Sequence, residues 1–335
     1  MVLHPVVMTD VDTADQVLVG LVVRKSQGAY AVERGDRVIP CGISNQLRKQ
    51  LIYPTADPGS RRHRVDAVVG IKAIDPVAIG DLVRYVEAGD GSGVIHEVLP
   101  RKNKLVRRAA GLKPLEQVIV ANVDQVVVVV AAALPEPKWE LLDRYLAATE
   151  SRDLPALILL TKLDLVGRDL LHAAIADYQT IGYRVILTSA HTGEGIDELR
   201  EALRDRMSVV VGKSGVGKSS ILNAVEPGLG LRVNEVSAVT GKGKHTTSHL
   251  EMFKLAFGGA IVDTPGMREF GLWEVDDADL AENFVELRPY LGRCRFGLDC
   301  QHTHEPGCAV KAAVTAGDIG ERRYESYRRM LGGGG

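Results

Sequence analysis

Aromatic residues make up only 5% of this 335-residue chain, and they are thin where they would matter for nucleic acid. The amino-terminal third holds just Tyr30, Tyr53 and Tyr85, which argues against a surface that stacks many unpaired bases. Net charge is almost absent as well: 41 basic against 43 acidic residues leave −2, so any contact with nucleic acid must come from local patches. No stretch approaches about 20 uninterrupted apolar residues, and the start MVLHPVVMTDVDTADQ lacks a basic region followed by an apolar run and a cleavage site. These absences speak against a membrane span and a secretory leader, and a cytoplasmic protein with no membrane partner is expected. Only four cysteines occur, too few and too unevenly placed for a disulfide framework in such a compartment. What is present is 45% hydrophobic and 25% charged, enough to bury real cores, in a length that suggests two or three domains. Three basic clusters stand out: RRHR at 61–64, RKNKLVRR at 101–108 and ERRYESYRR at 321–329, each either a solvated face or a contact patch.

Residues 1–115 read as short β-leaning runs, at 17–25, 29–33, 37–42, 65–74, 82–87 and 93–99, separated by RGD, YPTADPG and AGDGSG. About five strands in a hundred residues is the size of an OB-like barrel, a fold that often offers RNA a basic face. From residue 117 the rhythm changes to strands alternating with helices. VIVANVDQVVVVVAAA is a fully buried strand, KWELLDRYLAATESRD is helical, and the unit repeats through LPALILL, DLLHAAIADYQTIG, YRVILTSA, GIDELREALRDR, MSVVV and SSILNAV. That alternation predicts a mostly parallel sheet covered by helices.

The segment GKSGVGKSS at 212–220 fits the phosphate-loop pattern G-x-x-x-x-G-K-[ST]. Its glycines let backbone N–H groups converge on phosphate oxygens at a helix amino terminus, so Gly212, Lys213, Ser214, Gly215, Val216, Gly217, Lys218, Ser219 and Ser220 are candidate nucleotide ligands. Lys218 adds a point charge, and Ser219 is expected on Mg²⁺. Downstream, DTPG closes another strand: Asp263 is expected to hold the same ion and Gly266 to let its amide approach the γ-phosphate. Thr246 or Thr247 would complete the Mg²⁺ shell. Upstream, Thr161-Lys162-Leu163-Asp164 and Thr188-Ser189-Ala190 each end a strand and resemble the two guanine-reading motifs of GTPases, NKxD and SA. Asp164 can accept from guanine N1–H and the exocyclic amine, which adenine cannot match. Lys162 would lie along the base, and N–H groups near Ser189 and Ala190 would meet its carbonyl oxygen. Because ligands gather at the carboxyl ends of strands, these motifs can face the phosphate loop although they precede it.

Cys294, Cys300, His302 and Cys308 crowd into a Gly/Pro-containing loop and match the ligand count of a closed, structural zinc site, with His304 an alternative to His302. The permuted motif order, the barrel before it and this cluster after it together resemble the circularly permuted ribosome small subunit-dependent GTPase A (RsgA) family, over nearly the whole chain. The resemblance implies three parts: an OB-fold RNA-binding domain at 1–115, a circularly permuted GTPase domain at 116–274 and a zinc-binding domain at 275–335. It implies a GTPase acting in late maturation of the small ribosomal subunit and stimulated by that particle, with the subunit and its rRNA as partners, GTP or GDP with Mg²⁺ and one Zn²⁺ as ligands, and a monomeric state. Two positions depart from common GTPase patterns. Thr161 stands where the family usually has Asn, and Met267 follows DTPG where many GTPases place the glutamine that orients water. His245, in GKGKHTT, resembles the histidine of the family's switch region and is the candidate catalytic residue. A GTP-dependent RNA-binding switch whose hydrolysis is incidental is the alternative, and a metabolic P-loop kinase is disfavoured because Asp164 and TSA would then lack a purpose.

Overall fold

The computed structural model describes residues 16–26, 28–48, 75–108, 116–231, 250–263, 275 and 277–332. The chain divides into two compact units, Met1–Ala121 and Asn122–Gly335.

In the first unit, β1 (Leu18–Ser26), β2 (Ala29–Arg34), β3 (Arg37–Ile43), β4 (Leu82–Glu87) and β5 (Gly93–Val98) close into a barrel, with the one-turn helix α1 (Asn45–Arg48) after β3. β1 pairs with β2, β2 with β3 and β4 with β5, all antiparallel; β3 pairs with β5 in parallel, and β4 returns to β1. A bulge between Val22 and Arg24 bends β1, which pairs with β4 through its first residues and with β2 through its later ones. Alternate residues point inward, so Val22, Tyr30, Val32, Ile39, Cys41, Val83, Tyr85 and Ile95 form the core. Gly20 is required there, since a Cβ would run into Val32 and Tyr85. β6 (Lys104–Arg108) and β7 (Glu116–Ala121) form a separate antiparallel pair. Within the 101–108 cluster, Arg101 is internal: its guanidinium grips the buried Asp81 through two 2.7 Å bonds. The 61–64 cluster lies outside the described residues.

The second unit contains β8 (Gln125–Ala131), α2 (Trp139–Glu150), β9 (Ala156–Thr161), α3 (Arg168–Ile181), β10 (Arg184–Leu187), α4 (Ile196–Leu203), β11 (Met207–Val211), α5 (Lys218–Val225), β12 (Leu250–Lys254) and β13 (Ala260–Asp263). The strands lie in the order β10-β9-β8-β11-β13-β12, all parallel except β12, which runs against β13. Every residue of β8 is buried, as a central strand sandwiched between helices requires. Chain order runs outward from β8 to β10, then returns to the other side of β8 for β11. That reversal makes the carboxyl edge around β8, β9 and β11 the place where a ligand can sit.

After β13 come short 3₁₀ turns, α6 (Ala309–Ala316) and α7 (Glu321–Leu331). Their core of Leu280, Phe284, Leu287, Val310, Ile319, Tyr324 and Tyr327 takes in the three clustered cysteines and also Ala147 of α2. Among the described residues, no helix is long and apolar enough to cross a membrane.

Candidate functional site

Three segments distant in sequence meet at the carboxyl edge of the parallel sheet. They enclose a cleft of about 860 Å³ lined by Thr161, Lys162 and Asp164 after β9, Ala190 and His191 after β10, and Lys213, Ser214, Gly215, Gly217 and Ser220 after β11. The turn from β11 into α5 needs its glycines. Gly212 has φ +148° and its α-carbon faces Val129 of β8 so closely that a Cβ would overlap the backbone there, while Gly217 has φ +92° as it opens α5. Lys218 Nζ donates to the carbonyl oxygens of Gly212 at 2.7 Å and Lys213 at 3.0 Å. The ammonium thus lies folded over the loop, where phosphate oxygens would compete for it.

The strand end at Thr161 is tied directly to that loop. Thr161 Oγ1, buried, donates to Val216 O, and Lys162 Nζ donates to Gly215 O at 2.7 Å and to Leu134 O in the β8–α2 connection. The Lys162 backbone is left-handed, φ +60°. A threonine in place of asparagine therefore still spends its one hydroxyl proton on the phosphate loop. Asp164, in the 3₁₀ turn Leu163–Leu165, accepts from Ser189 Oγ at 2.5 Å, and this hydroxyl holds the carboxyl below its ordinary pKa. Ser189 Oγ in turn accepts from the N–H groups of His191 and Thr192, each at 3.2 Å, so the segment after β10 fixes the carboxylate after β9. Leu134, Pro135, Leu165 and His191 also line the cleft and were not found from the sequence. Their only sequence signal was position, one to a few residues past a strand end or motif.

Asp263 ends β13, next to β11, and nothing further is described of its side chain. Thr246, Thr247, His245, Gly266 and Met267 lie outside the described residues.

The cysteine cluster forms a second site. The ligand atoms of Cys294, Cys300, His302 and Cys308 all lie within 4.8 Å of one another, and all four residues are buried. A tetrahedral zinc ion with Zn–S near 2.3 Å and Zn–N near 2.1 Å demands S···S edges of about 3.8 Å and S···N edges of about 3.6 Å. Cys294 Sγ lies 3.8 Å from Cys308 Sγ and 3.4 Å from His302 Nδ1, which is 3.5 Å from Cys308 Sγ. The donor set fits a metal ion of this kind. His302, not His304, takes the fourth place: its backbone is left-handed at φ +58°, whereas His304 is exposed and meets Thr303 Oγ1 at 2.9 Å. Burial lowers the His302 pKa and keeps the ring neutral, as a ligand must be. Burial opposes ionisation of Cys294 too, but hydrogen bonds from the N–H of Ala309, from Cys300, from the N–H of Val310 and from Cys308 together hold that thiol below its ordinary value. Cys308 caps the same helix, accepting from Lys311 N at 3.5 Å.

A family model described as RsgA GTPase matches residues 98–273. The chain is 42% identical over 313 residues to the small ribosomal subunit biogenesis GTPase RsgA of Gemmatimonas aurantiaca, covering 93% of this chain and 95% of that one. It is 37% identical over 316 residues to the RsgA of Bacteroides fragilis, covering 93% and 96%. Among solved structures it resembles YjeQ from Thermotoga maritima, with TM-score 0.72 and 33% identity over 95% of this chain and 99% of that one. It also resembles YloQ, a circularly permuted GTPase, with TM-score 0.68 and 30% identity over 96% of each chain.

Proposed function

The chain belongs to the RsgA GTPase family, and from that premise we propose that it hydrolyses GTP on the small ribosomal subunit and couples the hydrolysis to late maturation of that particle. It is a GTP hydrolase, with nucleotide and Mg²⁺ as the ligands that go with that activity. The observation that carries the site assignment is the meeting of Thr161, Lys162 and Asp164 with Ala190 and with Lys213, Ser214, Gly215, Gly217 and Ser220 in one cleft, in permuted chain order but with direct hydrogen bonds from Thr161 and Lys162 to the phosphate loop.

In this reading Asp164, held by Ser189, accepts from the guanine edge, and the N–H groups near Ala190 meet the base carbonyl. Lys218 leaves the carbonyls of Gly212 and Lys213 for the phosphates, where loop N–H groups and the α5 dipole also favour negative charge. Ser219 and Asp263, with Thr246 or Thr247, would hold Mg²⁺, which would supply positive charge to offset that of the phosphates. Gly266 gives its amide to the γ-phosphate. His245 orients the attacking water, which the Met267 thioether cannot do. The Cys294, Cys300, His302 and Cys308 set holds one zinc ion with a structural role, since four protein ligands leave no open position. The barrel at 1–115 and the metal-bearing part at 275–335 flank the GTPase domain at 116–274 and contact rRNA. The chain works as a monomer in the cytoplasm.

GTP turnover measured with and without purified small ribosomal subunits tests the proposal. Particles should accelerate hydrolysis by orders of magnitude, the scale on which a partner completes a GTPase site. The His245→Ala variant should lose most of that stimulation while still binding GDP. Turnover indifferent to the particle would leave a GTP-dependent switch whose hydrolysis is incidental.

A further inference from the structure

The basic run at 321–329 is not a single exposed patch. Helical periodicity turns Arg328 and Arg329 outward and buries Arg323 completely, with Arg322 half-buried against the GTPase helices. Arg323 donates to Asp143 of α2 at 2.7 Å and to both carboxylate oxygens of Glu286 at 2.7 and 3.1 Å, and its guanidinium lies 4.6 Å from the Phe284 ring. Tyr178 of α3 donates to the same Asp143 oxygen at 2.7 Å, so one carboxylate joins α2, α3 and α7. Arg322 lies over two rings, 4.8 Å from Trp139 and 5.2 Å from Tyr178, and donates to Ala174 O of α3 at 2.8 Å. Trp139 and Tyr178 are themselves 6.1 Å apart. The next residue of α7, Tyr324, donates to His302 O at 2.6 Å, and Tyr327, one turn on, donates to Gln301 O at 2.8 Å, both inside the metal-ligating loop.

Both helices gripped in this way follow loops that line the base end of the cleft. Trp139 opens α2, four residues after Pro135, and α3 opens four residues after Asp164. The phosphate loop leads instead into α5. We infer that Arg322 and Arg323 are positioning residues for guanine binding: by riveting α2 to α3 they hold the loops of Leu134 and Asp164 at their working separation, so that the metal-bearing carboxyl-terminal part sets nucleotide affinity. This inference rests on the cleft being the guanine nucleotide site. Its consequence is an effect on ground-state binding, common to GDP and GTP, with the hydrolytic step untouched.

The test uses the full chain with its metal bound. Fluorescent GDP gives affinity and dissociation rate, steady-state GTP hydrolysis gives KM and kcat, and amide hydrogen exchange reports whether α7 is docked. Arg323→Met should loosen α7 and weaken GDP about tenfold or more, through faster dissociation, a size usual for coupling between sites. Should that variant fail to fold, Arg322→Ala removes a partly exposed side chain and should act in the same direction, raising KM while kcat holds. Cys300→Ser, which breaks the metal set, should loosen the Tyr324 and Tyr327 anchors and speed GDP release likewise. A folded variant with α7 demonstrably undocked but wild-type GDP dissociation would overturn the inference, as would a loss confined to kcat. Failure of the wild-type chain itself to bind GDP would be a different result, removing the nucleotide-site reading and the inference with it.

Discussion

Replacing Asp164 by asparagine should invert base preference, and the geometry dictates which way the new amide turns. Ser189 Oγ accepts N–H bonds from His191 and Thr192 and donates its own proton to Asp164 Oδ1 at 2.5 Å. In Asp164→Asn the amide oxygen must stay on that proton, so the NH₂ group takes the place of the other carboxylate oxygen. Guanine then faces a donor where it needs an acceptor for N1–H and the exocyclic amine. Hydrogen bonds to a charged group contribute about 1.5–3 kcal/mol each. Asp164 is exposed before ligand binds, so the lower half of that range applies, about 3–4 kcal/mol for the pair. At about 1.4 kcal/mol per tenfold, GDP should weaken by roughly 10²–10³. Xanthine offers a carbonyl oxygen at the position of guanine's amine and should bind the variant better than guanine does. Displacement of fluorescent GDP by GDP and by xanthosine diphosphate, with parallel hydrolysis of the triphosphates, measures the ratio. The double variant Asp164→Asn with Ser189→Ala frees the amide to flip and should blunt the inversion. A single variant that still prefers GTP over the xanthine analogue would show that 161–164 does not read the base.

Thr161→Val removes the buried hydroxyl that Val216 O accepts; an orphaned carbonyl costs about 1–3 kcal/mol, and GDP titration should show affinity reduced by tenfold or so. Gly212→Ala forces a Cβ against the backbone of Val129 and should displace the phosphate loop, abolishing measurable GDP binding while far-ultraviolet circular dichroism stays native. Arg323→Met leaves Asp143 and Glu286 buried without their cation, so denaturant unfolding should reveal a loss of about 3–5 kcal/mol. Metal analysis of protein purified without added zinc should find one ion per chain, and Cys308→Ser should lose it and expose the 294–308 loop to protease; full metal content in that variant would exclude Cys308 as a ligand.

Local chemistry carried a large part of this protein. A run such as QVVVVVA can only be a buried central strand, and alternation with helical periods dictates a parallel sheet. Motifs that each end a strand are drawn to one edge of such a sheet, whatever their order along the chain, which is why a permuted sequence remained readable. Three cysteines and a histidine in one loop likewise make a candidate metal site by donor count. Chain folding over long distances settled the rest. His302 and His304 are equivalent as letters, and only the left-handed turn at His302, closed against cysteines 6 and 8 residues away, selects between them. Thr161 looked like a lost asparagine until its hydroxyl met a carbonyl 55 residues distant. Arg322 and Arg323 sat in a run of basic residues, yet helix geometry turned them towards rings, carbonyls and a carboxylate 180 residues away. Composition and periodicity report what a residue's neighbours in sequence demand. Whether an arginine faces water or a buried aspartate depends on which distant helix packs beside it, and that is a property of the packed chain.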